Sequence, residues 1–174
     1  MPATLFHRRR LLTGAALCAA APWIAVAHAL EPPAGKVVLT LTGTLSKRNT
    51  ADGAAFDMAL LEALPRSSFT TKTPWYANRP RQFTGVMLRD LLTAVGGQAS
   101  TLRATALNDY SVDIPAADWA ENDAMLAYWL DGHPMSVRER GPLIVIYAFD
   151  DRPELRTAVH YGRAIWQLKN IDLR

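Results

Sequence analysis

The sequence predicts an α+β fold with more strand than helix. Three observations lead there. Segments of strand length, β-branched and alternating or continuously apolar, outnumber segments with helical spacing. The strands are not separated by regular long helices, which argues against a doubly wound parallel sheet. No internal repeat and no G-x-G-x-x-G loop is present, so a dinucleotide-binding architecture has no footing.

The elements follow in chain order. "VVLTLTGTL" (37–45) alternates and is rich in Val and Thr, so it reads as a strand. "AAFDMALLEAL" (54–64) places Phe56, Leu60, Leu61 and Leu64 on one helical face, and Pro65 ends it. "SFTTKT" is extended, because Pro74 disfavours helical geometry in the residue before it. "VMLRDLLTAV" (86–95) is a short amphipathic helix stopped by Gly96-Gly97. "TLRATALNDYSVDIP" reads as a hairpin turning at Asn108-Asp109. "AMLAYWLDGHPM" is a strand that meets an Asp131-Gly132 turn. "PLIVIYAF" (142–149) is continuously apolar and is expected to be the central strand. "AIWQLKNIDL" (164–173) is expected to close the sheet.

Residues 1–29 read as an export signal rather than as part of the fold. Arg8, Arg9 and Arg10 form a basic start, an apolar stretch interrupted by Pro22 follows, and Ala27-His28-Ala29 is an A-x-A cleavage site. The apolar stretch is too short for a membrane span. The arginine pair followed by Leu11 and Leu12 also fits a twin-arginine signal, with His7 where Ser or Thr is usual, so export by Sec or Tat stays open. The expected organisation is a signal over 1–29 and one domain over 30–174, located in the periplasm. Removing the three arginines lowers Lys+Arg from 19 to 16, equal to the 16 Asp+Glu. A neutral exported chain has no electrostatic basis for binding nucleic acid. Cys18 is the only cysteine, so 30–174 contains no disulfide, thiolate ligand or cysteine nucleophile.

The histidines of 30–174 are His133 and His160, without metal-ligand spacing, and G-x-S-x-G is absent. Asp150-Asp151 reads as a solvated pair on a loop. Other residues suit a flat polar ligand. Trp75 and Tyr76 stand between Pro74 and Pro80 with Arg79 and Arg81 beside them. Aromatic faces and guanidinium planes both stack on heteroaromatic rings. Asn108, Asp109 and Tyr110 cluster at the hairpin turn, and Tyr161, Gly162 and Arg163 precede the last strand. Arg138 and Arg140 precede Gly141-Pro142. Whether these turns converge is not decided by their spacing.

"FTGVMLRDLL", "ALNDYSVDIP", "LDGHPMSVRERGPLIVIY" and "YGRAIWQLKNIDL", in that order, resemble the sulfite-oxidase-type molybdopterin-binding domain over about residues 37–173. The resemblance implies that family's fold. Its enzymes hold molybdenum through a cysteine that lies before the G-V-x-L segment. Here that region carries Thr70, Thr71 and Thr73 and no thiol. In length, leader and missing cysteine the chain is similar to a small periplasmic branch that binds free reduced pterins and controls a membrane cyclic-di-GMP enzyme of GGDEF/EAL type.

That resemblance implies a periplasmic pterin-binding sensor, with no metal and no catalytic residue expected. Trp75 and Tyr76 would wall the pterin ring. Asp109, with Asn108 and Tyr110 on the same turn, would meet its amino edge, and Arg79 and Arg163 its oxygens. Two alternatives remain: a molybdopterin-dependent oxidoreductase with a non-cysteine ligand set, and an interaction module that has lost the ligand.

Overall fold

The computed structural model describes residues 30–174; the signal expected over 1–29 lies outside the described residues. The order is β1 (Leu39–Gly43), β2 (Ala54–Phe56), α1 (Met58–Glu62), β3 (Arg66–Lys72), β4 (Pro80–Met87), α2 (Leu88–Val95), β5 (Thr101–Ala106), β6 (Ser111–Pro115), α3 (Ala116–Ala120), β7 (Met125–Leu130), β8 (His133–Pro134), β9 (Ile144–Ile146), α4 (Ala158–Arg163) and β10 (Leu168–Leu173). Strand exceeds helix, as the sequence predicts.

Two five-stranded sheets result. The first runs β2-β1-β10-β5-β6, and the second runs β3-β4-β7-β8 with β9 also paired to β7. Among the described residues only β1 and β10 pair in parallel; the other pairs are antiparallel. Alternation explains the half-buried strands. In β5, Leu102, Ala104 and Ala106 face inward while Thr101, Arg103 and Thr105 do not. The β7 strand, buried except for the half-buried Trp129, reads as an apolar run, "MLAYWL". Leu41 and Ile171 of the first sheet and Phe83 and Leu126 of the second belong to one buried cluster.

Four expectations are corrected. The helix expected over 54–64 begins only at Met58. Ala54–Phe56 is a strand because Phe56 pairs with Leu39 and is buried there. Asp57 then caps the helix, its carboxylate accepting from the backbone N–H of Leu60 at 2.9 Å and of Gly35 at 2.7 Å. The run 142–149 is not the central strand. Only Ile144–Ile146 is strand, and β7 lies in the middle of that sheet. Continuous apolarity there reports burial rather than pairing: Tyr147 and Phe149 are fully buried beyond the end of β9. Finally, β10 does not close a sheet but lies inside one, between β1 and β5. In the helix expected over 86–95, Val86 and Met87 belong instead to β4.

The turns are as the sequence predicts. Asp109 (φ 66°) closes the β5–β6 hairpin, and Asp131 (φ 48°) with Gly132 (φ 79°) closes β7–β8. Gly85 has a different reason to be glycine. A Cβ there would lie 2.0 Å from the carbonyl oxygen of Leu126, at the irregularity where β4 shifts register against β7.

Candidate functional site

The Trp75 region is a single turn of 3-10 helix, Pro74–Tyr76. Pro74 starts it with its φ already fixed, and the N–H of Tyr76 donates to the Thr73 carbonyl at 3.2 Å. Ala77 (φ 54°) and Asn78 (φ 52°) then turn the chain back into β4. This presents Trp75 to three aromatic neighbours. It stands edge-on to Tyr161 with ring centres 5.9 Å apart, tilted to Trp166 at 5.8 Å, and edge-on to Phe149 at 6.5 Å.

Trp75, Tyr161 and Trp166, with Tyr110, line a cavity of about 520 Å³. Asn108 and Gln167 add amide groups to the same walls. The lining comes from four places: the 3-10 turn, the β5–β6 hairpin, α4, and the link from α4 to β10. The link is pinned to both sheets, since the N–H of Leu107 donates to the Gln167 carbonyl and Ile144 forms a bridge with Trp166. Such a cavity is of ordinary ligand size. Its rings offer faces to a planar ligand, and its amides can both donate and accept.

The seven residues singled out from sequence are divided by the structure. Trp75, Asn108 and Tyr110 come together in the cavity walls. Tyr76 lies on the flank: its hydroxyl donates to the Glu139 carbonyl at 3.1 Å, and the guanidinium groups of Arg81 and Arg140 lie 5.0 and 5.1 Å from its ring centre. Burial raises the Tyr76 pKa, and the Arg140 charge opposes that shift. Asp109 is not in the walls; its carboxylate pairs with Lys169 at 2.6 Å. Arg79 is exposed and also outside the walls.

Arg163 faces a different group. Its NH1 lies 3.3 Å from both carboxylate oxygens of Asp118, which is 1% exposed. The Tyr147 hydroxyl donates to the same carboxylate at 2.7 Å, and His160 Nε2 lies 3.9 Å away. Burial, and then the Asp118 charge, push the Tyr147 pKa far above the usual tyrosine value. Arg163 therefore anchors α4 to α3, and α4 carries Tyr161 and Gly162 to the cavity.

Sequence reasoning missed Trp166 and Gln167. "AIWQLKNIDL" absorbs both into a strand pattern. In the structure the strand starts only at Leu168, and Gln167 is left-handed (φ 52°). A non-glycine residue in that conformation leaves no mark in a single sequence.

The donor set separates two parts of a molybdopterin. Ring faces and amides fit the organic ring. No cysteine occurs among residues 30–174, and no group of three His, Cys, Asp or Glu stands close enough to hold a metal among the described residues. The hydroxyl of Thr73 is buried without a hydrogen-bond partner, next in sequence to the turn that carries Trp75. A neutral hydroxyl does not replace a thiolate donor.

Comparison with known proteins gives three findings. The family described as "Oxidoreductase molybdopterin binding domain" matches residues 54–148, more than half of the chain. No curated protein matches the chain. The crystal structure of the sulfane dehydrogenase SoxCD from Paracoccus pantotrophus is similar in fold, with a TM-score of 0.58 and 16% identity. That likeness covers 78% of this chain and 37% of the other, so the chain spans little more than a third of that neighbour's length.

Proposed function

We propose that this chain, which belongs to the oxidoreductase molybdopterin-binding domain family, binds a free pterin as a signal and does not process it. The observation that carries this reading is the cavity built by Trp75, Tyr110, Tyr161 and Trp166, with Asn108 and Gln167 in the same walls and no thiolate donor within 30–174. Each aromatic contact adds about 1 kcal/mol beyond area burial. Several together with two or three hydrogen bonds support micromolar affinity, about 8 kcal/mol, after the cost of association.

The regulatory part of the proposal rests on the resemblance to the small periplasmic branch that lacks the cysteine. A pterin-loaded protein in the periplasm would report to the periplasmic domain of a membrane cyclic-di-GMP enzyme of GGDEF/EAL type. The second reading is a molybdopterin oxidoreductase with a non-cysteine ligand set, and the match to the oxidoreductase molybdopterin-binding family over residues 54–148 supports it.

One experiment separates the two. The full chain is expressed with residues 1–29, purified from the periplasm and denatured. The released material is then passed through fluorescence-detected chromatography and elemental analysis. A pterin without molybdenum is expected. Stoichiometric molybdenum would replace the sensor reading with the enzyme reading, and the absence of any pterin would remove both.

A further inference from the structure

A second opening adjoins the ligand cavity. It is a groove of about 540 Å³ with an apolar lining that includes Val37, Leu107, Met135, Val137 and Pro142. Leu107 lines it, while its chain neighbours Ala106 and Asn108 line the ligand cavity, so the β5–β6 hairpin separates the two. Met135 is buried, but Val37, Leu107 and Val137 are 41, 46 and 52% exposed, so the apolar surface continues out of the groove. These are three of the six large apolar side chains left exposed among the described residues, and two of the others, Tyr110 and Trp166, line the ligand cavity. Apolar exposure is thus gathered around two adjoining openings. A gathered patch marks an interaction site where scattered residues would not.

Gln167 ties the groove to the cavity. It is a wall residue of the cavity, and its Nε2 donates to the Val137 carbonyl at 2.8 Å. Its own carbonyl accepts from the N–H of Leu107, also at 2.8 Å. One cavity residue therefore holds both sides of the groove.

Charge indicates what fits there. Lys36 and Lys169 are the charged residues of the lining, and no Asp or Glu joins them. Lys169 is held by Asp109, but Lys36 is exposed and has no carboxylate partner among the described residues. A second copy of this chain docked through the same groove would set lysine against lysine. A segment with a carboxylate beside apolar side chains would meet both the lysine and the valines.

We infer that this groove is where a partner protein docks, through an apolar segment that carries a carboxylate. This rests on the regulatory reading above and adds the surface through which it acts: the partner contacts a face that shares Gln167 with the ligand cavity.

The test uses the protein purified from the periplasm, with and without tetrahydrobiopterin. Its partners are full-length GGDEF/EAL-type membrane proteins of the same genome, each in phosphatidylcholine nanodiscs, and biolayer interferometry reads the binding. One of them is expected to bind. Val137→Glu and Lys36→Glu should each weaken that binding at least about tenfold. Val159→Glu, similarly exposed but outside the groove, should change it by less than about twofold. Rising salt should weaken the wild type more than Lys36→Glu. Thermal melts establish that the variants fold, and Val37→Glu replaces either one that does not. Wild-type affinity in the folded groove variants overturns the inference and leaves the partner reading standing. If none of the membrane proteins binds in either state, the partner reading and this inference both fall, while quenching of tryptophan fluorescence by tetrahydrobiopterin decides the pterin reading separately. Two further results would seat another occupant in the groove and overturn the inference: a dimer in sedimentation that Val137→Glu dissociates, and binding to empty phosphatidylglycerol nanodiscs that Lys36→Glu abolishes.

Discussion

Tyr147 donates its hydroxyl proton to Asp118 Oδ2 across 2.7 Å, with both side chains shielded from solvent. The bond joins the segment after β9 to α3, and Arg163 approaches the same carboxylate from α4. A buried carboxylate needs such partners, because an unpaired one is strongly destabilising. Tyr147→Phe removes one of them and is expected to lower the unfolding free energy by about 1–3 kcal/mol, read from urea melts. The pH dependence has a definite sign. The folded-state pKa of Tyr147 is raised above the usual tyrosine value of 10.0. Its contribution is therefore complete below pH 10.0 and is lost as pH rises above it, by up to about 1.4 kcal/mol per unit. Wild type should lose stability above pH 10 more steeply than Tyr147→Phe, and equal slopes would count against this role.

Trp75→Ala and Trp166→Ala should each weaken pterin binding about tenfold or more, since each removes a wall of the cavity. Asp109→Ala should change affinity little, because its carboxylate is 84% exposed and paired with Lys169 at the surface. Titration of the three variants with one reduced pterin checks both statements. Unchanged affinity in Trp75→Ala would show that the cavity is not the ligand site.

Gly85→Ala should destabilise the protein by about 1–3 kcal/mol. The added Cβ would meet the Leu126 carbonyl oxygen at 2.0 Å and the Ala127 Cα at 2.6 Å, both backbone atoms of the paired strand. The strand can yield only by breaking β4–β7 pairing. Thermal melts of Gly85→Ala beside Gly132→Ala give an internal comparison. Gly132 has nothing within 4 Å, so only its φ of 79° opposes substitution.

Much of this was legible in the sequence, for physical reasons. Alternation in β5 and the Asn108-Asp109 turn report strand geometry directly. "FTGV" is informative because its glycine answers a close backbone approach at Gly85. Half of the cavity was legible too: Trp75, Asn108 and Tyr110 stand out by residue type beside turn signals. The rest depends on tertiary placement. Trp166 looks like a strand residue until the left-handed Gln167 holds it out of β10. Arg163 looks like a ligand residue until Asp118, 45 positions earlier in the chain, is brought against it. The buried run after Pro142 looks central because periodicity cannot separate burial by a sheet from burial in a core.

Asp57 carries the last prediction, on the acid side. Its carboxylate accepts the backbone N–H groups of Leu60 and Gly35, and these bonds hold its pKa below the usual value of 3.8. A depressed folded-state pKa contributes stability that is present above pH 3.8 and lost as pH falls through the lower folded value. Asp57→Ala should reduce stability at neutral pH, because α1 loses its cap and Gly35 its acceptor. It should also flatten the fall in stability below pH 4 relative to wild type, since one of the groups that must take up a proton is gone. Parallel urea melts at pH 7 and across the range from pH 4 to 2 measure both effects. If Asp57→Ala lost stability at pH 7 but kept the wild-type slope in acid, the cap would be holding α1 by shape alone, and the charge on Asp57 would have no part in it.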